Sequence, residues 1–254
     1  MSAQRGTVAA VSRNDAYTFT KPNRDEIVLV AGFGVEGDIH AGVNVRHRSR
    51  VRVDPTQPNL RQVHLIQGEL FDEVAGKGYE VPAGGLGENV TTSGLDLLGL
   101  PRGTVLRFGE ATGGVGSTGP GFAEPGSTGP GSTGPGLSGA EAHPVAPVLA
   151  AAAGATLDEP TARAAEAVAA AVERDETVTD ERPAIVLAGL RNPCQQINGF
   201  RSGLLKEVLG QDERGNVVRK AGVMAVVLRG GPVRPGDVVT VELPPGPHGA
   251  LERV

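Results

Sequence analysis

The sequence predicts a mainly β protein with a few short helices, built as a closed or folded antiparallel sheet. Three observations lead there. Apolar or alternating runs suited to strands recur at residues 6–12, 26–31, 61–66, 184–188, 223–228 and 238–243, separated by turns bearing Gly and Pro. Segments with a helical apolar stripe are brief and do not alternate with the strands as a doubly wound parallel sheet requires. Between residues 111 and 182 the composition changes abruptly. The strands therefore fall into two blocks, 1–110 and 183–254, expected to form one discontinuous domain.

Residues 6–12 and 26–31 read as the first two strands. The second runs into Gly32-Phe33-Gly34-Val35-Glu36-Gly37, which fits the dinucleotide pattern G-x-G-x-x-G. That pattern holds a pyrophosphate only when its third glycine opens a helix. Asp38-Ile39-His40-Ala41-Gly42-Val43 follows instead, with another glycine and no 3.6-residue stripe, so the dinucleotide reading fails. Asp38 and His40 stand two apart, and extended backbone would put both on one face as a candidate ligand-binding pair. Arg46, His47, Arg48, Arg50 and Arg52 form a local basic run able to donate to an anionic ligand.

Residues 61–66 make a strand that carries Arg61 and His64, and 67–75 a short helix with Leu70, Phe71 and Val74 on one face. Gly84-Gly85-Leu86-Gly87-Glu88-Asn89-Val90 is a second glycine-rich loop. It lacks the Gly-Lys-Ser/Thr ending of a triphosphate cradle, although its backbone N–H groups can converge on an anion. Residues 100–109 form a turn and a strand. Then Gly-Ser-Thr-Gly-Pro occurs at 116–120, 126–130 and 131–135, a composition that buries too little apolar area to offset chain entropy. An alanine-rich stretch follows, in which Asp158 is placed to cap a helix with Ala162, Ala165, Val168, Ala169 and Val172 on its apolar face. Alanine gives such a helix little to dock with, so 111–182 is expected to be a linker plus helical insertion that folding does not need. A helix at 203–209 and strands at 223–228 and 238–243 complete the chain.

The apolar run at 184–188 leads through Gly189 and Leu190 to Arg191-Asn192-Pro193-Cys194, which holds the one cysteine. Pro193 stiffens this turn and Arg191 favours a thiolate, the nucleophilic form. A lone cysteine can equally be a small core hydrophobe. This one follows a strand and lies among Arg, Asn, Pro and Gln. One cysteine makes no internal disulfide, which fits a reducing, cytoplasmic setting. The formal charge of −5 and pI near 5.6 offer no basic field for nucleic acid or anionic membrane. The first residues lack a signal-peptide core, and no apolar run reaches the roughly 18 residues of a membrane span. His40, His47, His64, His143 and His248 are scattered, so no zinc site is expected, and no Gly-x-Ser-x-Gly elbow marks a serine hydrolase. What remains is a thiol beside groups able to hold a small anionic ligand.

Five motifs in order then carry a family resemblance: Gly37-Asp38-Ile39-His40-Ala41-Gly42, Arg61-Gln62-Val63-His64-Leu65-Ile66, Gly87-Glu88-Asn89-Val90-Thr91-Thr92, Leu190-Arg191-Asn192-Pro193-Cys194 and Arg219-Lys220-Ala221-Gly222-Val223-Met224. Together they resemble the MOSC domain, the C-terminal module of molybdenum-cofactor sulfurases that also occurs as stand-alone bacterial proteins. The resemblance spans about 6–244 except 111–182, and the Gly/Pro-rich insertion departs from the family pattern. It implies a barrel-like β fold and a cysteine that handles sulfur or contacts a pyranopterin molybdenum cofactor. Cys194 and Arg191 are then the catalytic candidates. Asp38, His40, Arg61 and His64 are candidate ligand contacts, as are Gly87, Glu88, Asn89, Asn192 and Lys220. Three functions follow: sulfur transfer or carbon–sulfur cleavage through a Cys194 persulfide; reduction of N-hydroxylated compounds with Cys194 as molybdenum ligand; or non-catalytic carriage of cofactor or sulfur. The pyridoxal-phosphate domain of full sulfurases is not in this chain, so a sulfur-donor protein or small sulfur compound must load it. A monomer or homodimer is expected.

Overall fold

The structure is a computed structural model that describes residues 4–110 and 142–254. The first block of sequence supplies β1 (Arg5–Ser12), β2 (Asn23–Arg24), β3 (Ile27–Val30), β4 (Gly34–Val35), β5 (Val63–Gln67), β6 (Val90–Ser93) and β7 (Val105–Phe108). The second supplies β8 (Ala184–Leu190), β9 (Leu209–Gln211), β10 (Val217–Arg219), β11 (Val223–Arg229), β12 (Gly231–Val233) and β13 (Val238–Glu242). The helices of the described residues are α1 (Arg48–Val51) and α2 (Glu69–Ala75) in the first block, α3 (Ala146–Gly154) and α4 (Glu159–Asp175) between the blocks, and α5 (Gln196–Phe200) and α6 (Leu204–Val208) in the second. No helix among the described residues is long and apolar enough to cross a membrane.

Seven strands close into a barrel in the order β13-β7-β8-β11-β5-β6-β1, because β1 returns to β13 with Arg5 opposite Thr240 and Thr7 opposite Val238. Closure satisfies the backbone groups that an open edge would expose. Neighbours are antiparallel except β5 and β6, which run parallel with α2 in the connection between them. β12, β3 and β4 form a separate small sheet, so the glycine pattern at 32–37 is a strand-to-strand turn. The predicted mainly β architecture is the one observed.

The barrel interior is filled by alternate residues such as Val8, Leu65, Leu106, Ile185, Leu187 and Val239. β8 is buried on both faces, which explains why its sequence is continuously apolar and not alternating. Ile185 and Leu187 point into the barrel, whereas Ala184, Val186 and Ala188 point outward onto a second core. There α4 presents Ala164, Ala165, Val168, Ala171 and Val172, and α3 adds Val148.

This corrects the expectation that the alanine-rich helix has little to dock with. Small residues on both partners let helix and sheet approach closely, and Val168 and Val172 supply the larger apolar groups. The buried face is rotated slightly from the predicted one, with Ala164 and Ala171 inside in place of the partly exposed Ala162 and Ala169. Asp158 does cap the helix, accepting from the Thr161 amide at 3.0 Å. At the other end Asp175 accepts from Arg107 Nη2 at 2.8 Å and Arg229 Nε at 2.7 Å, tying α4 to β7 and β11. The Gly-Ser-Thr-Gly-Pro repeats lie outside the described residues.

Candidate functional site

Four connections converge on one cleft that holds about 950 Å³ of empty space, part of it open to solvent. They are residues 13–22 after β1, 38–47 after β4, 84–89 before β6, and the turn after β8. β5 contributes His64 and β11 contributes Met224. The glycine loop permits this convergence. Gly84 and Gly87 both have φ of +80°, and a Cβ would fall 2.0 Å from the Lys21 carbonyl oxygen at the first and 2.6 Å from that of Phe19 at the second. Glu88 is fully buried beneath the loop, accepting from the Gly84 and Leu86 amides and from Thr91 Oγ1. Burial raises its carboxyl above the usual range, against the pull of those amides and of Arg191. It shapes the loop and does not line the cleft.

Asp38 and His40 are brought together through a turn and not through extended backbone: Asp38 Oδ1 accepts from the His40 amide at 3.0 Å and faces His40 Nδ1 at 3.2 Å. On its other oxygen Asp38 receives Lys21 Nζ at 2.7 Å and Asn89 Nδ2 at 3.0 Å. Burial alone would raise the Asp38 carboxyl, but the His40 hydrogen bond and the Lys21 charge hold it well below the usual range. Burial lowers the Lys21 ammonium against the opposing pull of Asp38. Asn89 also pairs with β5, its Oδ1 accepting from the His64 amide at 3.2 Å. Lys21 has no flanking motif, so nothing in the sequence marks it; its role comes from a long loop folding back onto Asp38.

The cleft is cationic. Lys21, Arg46, Arg61 and Arg191 line it, and no carboxylate does among the described residues. Arg191 is buried, donating from Nη1 to the Leu86 carbonyl at 2.7 Å and lying 5.6 Å from the Phe19 ring centroid. Burial lowers its guanidinium, which Cys194 and Glu88 partly restore. Arg61 donates to the main-chain oxygen of Val254, and burial with the nearby Arg50 and Arg191 charges pulls it down to about 9. His47 is held at about 4, first by burial and then by Arg61, His40, Arg191 and Arg50. His64 donates from Nε2 to the Ala221 carbonyl at 2.7 Å, and burial and the Arg191 charge hold it well below the ordinary histidine range.

Cys194 is half-buried just before the Gln195 cap of α5, its thiol donating to Gln196 Oε1 at 3.4 Å. Gln196, Arg61 and Arg191 line the cleft; Cys194 is not itself in the lining, but its thiol bonds to Gln196 and both guanidiniums interact electrostatically with it. Asp38 and Glu88 lie behind the lining, and two further expected contacts lie elsewhere. Asn192 is exposed and accepts from Arg219 Nε at 3.3 Å, and Lys220 donates to Glu73 Oε1 at 2.7 Å outside the cleft lining. Sequence reasoning missed Lys21, Tyr17 and Phe19, whereas the basic run did flag Arg46 and His47. Among the described residues no group of three or more His, Cys, Asp or Glu is placed to hold a metal ion.

No family model and no curated protein sequence matches the chain. Solved structures do. The YuaD protein from Bacillus subtilis is 18% identical at a TM-score of 0.56, and the match covers 96% of this chain and 99% of that one. YiiM from Escherichia coli is 14% identical at a TM-score of 0.45, over 96% and 73% of the two chains. YiiM from Geobacillus stearothermophilus is 12% identical at 0.45, over 93% and 75%. YuaD is a MOSC-domain protein, and the likeness gives this chain a MOSC-like fold.

Proposed function

We propose that the protein transfers sulfur through a persulfide on Cys194, with the adjoining cleft holding a small anionic reaction partner. One observation carries this reading: the protein's only thiol bonds to Gln196 and interacts with Arg61 and Arg191, three residues of a cleft lined by four cationic side chains and, among the described residues, no carboxylate. In the loading step the Cys194 thiolate attacks the outer sulfur of a donor persulfide, the donor S–S bond breaks, and the donor leaves as a thiolate. In discharge an acceptor thiolate attacks the outer sulfur on Cys194, and the electron pair of the broken bond returns to Cys194. The sulfur moves without net oxidation or reduction. Arg61 and Arg191 stabilise the negative charge that passes between these sulfurs, and a single cysteine leaves no second thiol to divert the persulfide into an internal disulfide.

The test is direct. Incubated with glutathione persulfide, the parent protein gains the mass of one sulfur atom, and Cys194→Ser folds with an unchanged melting midpoint and gains none. A variant that loads as the parent does would refute the reading.

The same residues suit a pyranopterin molybdenum cofactor, since Arg61 and Arg191 offer charge to a phosphate and Cys194 offers a thiolate to a metal. When bound, that group would supply oxygen-atom transfer coupled to two-electron redox chemistry. Stoichiometric molybdenum in the purified parent, lost in Cys194→Ser, would favour this second reading.

A further inference from the structure

Sulfur transfer to a small thiol requires that the acceptor lose its S–H proton, because the thiolate is the nucleophile. Cationic side chains can stabilise the resulting anion but cannot take the proton. Three histidines line the cleft: His40, His47 and His64. His64 is committed through Nε2 to the Ala221 carbonyl, and His47, held at about 4, is a weak base.

His40 instead faces a carboxylate through Nδ1. An ionised carboxylate only accepts hydrogen bonds, so the 3.2 Å contact between Asp38 Oδ1 and His40 Nδ1 places the ring hydrogen on Nδ1. In the neutral ring the lone pair is then on Nε2, on the far side of the ring from Asp38. Nε2 makes no hydrogen bond to the described residues. Asp38 is held in turn by Lys21 at 2.7 Å, by Asn89 at 3.0 Å and by the His40 amide at 3.0 Å. The ring has an edge-to-face contact with Tyr17, at 6.3 Å between centroids, and stacks on His47 at 6.1 Å. A carboxylate that fixes the tautomer of an imidazole is the arrangement by which histidine takes a proton at its outer nitrogen.

We propose that His40 is the proton acceptor for the thiol that takes sulfur from Cys194, and that Asp38, backed by Lys21, is the positioning residue that fixes its tautomer. The inference rests on the sulfur-transfer reading. His40 Nε2 takes the S–H proton as the acceptor sulfur bonds to the outer sulfur on Cys194. The S–S bond breaks, Cys194 leaves as a thiolate, and the imidazolium returns its proton to that thiolate or to water.

The test isolates discharge. Parent, His40→Ala and Asp38→Asn are loaded to completion with glutathione persulfide, checked by intact mass, freed of donor and mixed with thioglycolate at neutral pH. His40→Ala discharges about 100-fold more slowly, and added imidazole restores part of the rate. A nitrothiophenolate acceptor, already ionised at that pH, discharges parent and His40→Ala at equal rates. Asp38→Asn slows thioglycolate discharge alone, and adding it to His40→Ala costs nothing more. Discharge of thioglycolate by His40→Ala at the parent rate, or equal losses with both acceptors, overturns the proposal and leaves sulfur transfer standing. A parent protein that never loads overturns both.

Discussion

Cys194 takes its surroundings from residues remote in sequence, and its neighbours decide what approaches it. Arg61 and Arg191 confer a preference for anions. Arg61→Gln and Arg191→Gln are each expected to weaken an anionic acceptor such as thioglycolate about tenfold or more, since a hydrogen bond to a charged group contributes about 1.5–3 kcal/mol. Neutral mercaptoethanol should change far less, which discharge rates against acceptor concentration will show; equal losses for both would refute charge selection. His47 sets a pH dependence of stability. Its value of about 4 in the fold lies below the 6.5 of an ordinary histidine, so the unfolded chain binds the proton first as pH falls. Stability is therefore expected to decline as pH drops from 6.5 towards 4. Melting midpoints at both ends of that window should differ less in His47→Gln than in the parent. Asp38 acts in the same direction lower on the scale: its carboxyl is depressed, so its contribution is present above 3.8 and is lost as pH falls below it.

At the scale of elements, α4 belongs to the core. Val168 is fully buried against β8 and β11, and Val168→Ala should cost about 2 kcal/mol through lost burial and the cavity left behind. The midpoint should fall by several degrees. Removing 142–182 should yield insoluble protein, whereas shortening the repeats within 116–135 should leave the midpoint unchanged, because loop-closure entropy grows only with the logarithm of length. A soluble, cooperatively melting deletion of 142–182 would show that the docked face is dispensable.

At the scale of the molecule, the two sequence blocks are joined by the barrel and locked by a buried charge network. Asp175 from α4 lies between Arg107 of β7 and Arg229 of β11, while Arg107 Nε donates to Glu242 Oε1 of β13 at 2.6 Å. Asp175→Asn keeps the shape but leaves two guanidiniums facing each other without their carboxylate. Breaking such a pair costs about 3–5 kcal/mol, and urea unfolding should show it as a lower midpoint with an unchanged slope. A cost under about 1 kcal/mol would mean that solvent reaches these charges.

Several features were legible in the sequence because their causes are local. Strand positions follow from apolar patterning, the Asp158 cap from one side chain and the next turn, and the cysteine turn from Pro193 after a buried strand. Local pattern also paired Asp38 with His40, although the backbone that joins them is a turn. Other features depend on what each segment meets. An alanine face reads as featureless until β8 supplies equally small outward residues at Ala184 and Ala188. Lys21 is an ordinary lysine in sequence and becomes a buried partner of Asp38 only when residues 13–22 fold over the glycine loop. Lys220 sits within one of the five MOSC-like motifs, yet it pairs with Glu73 outside the cleft lining. Composition and periodicity by themselves determined a β protein with one free thiol. Only the tertiary structure decided which charges surround that thiol, because burial and ion pairing are set by contacts between residues far apart in the chain.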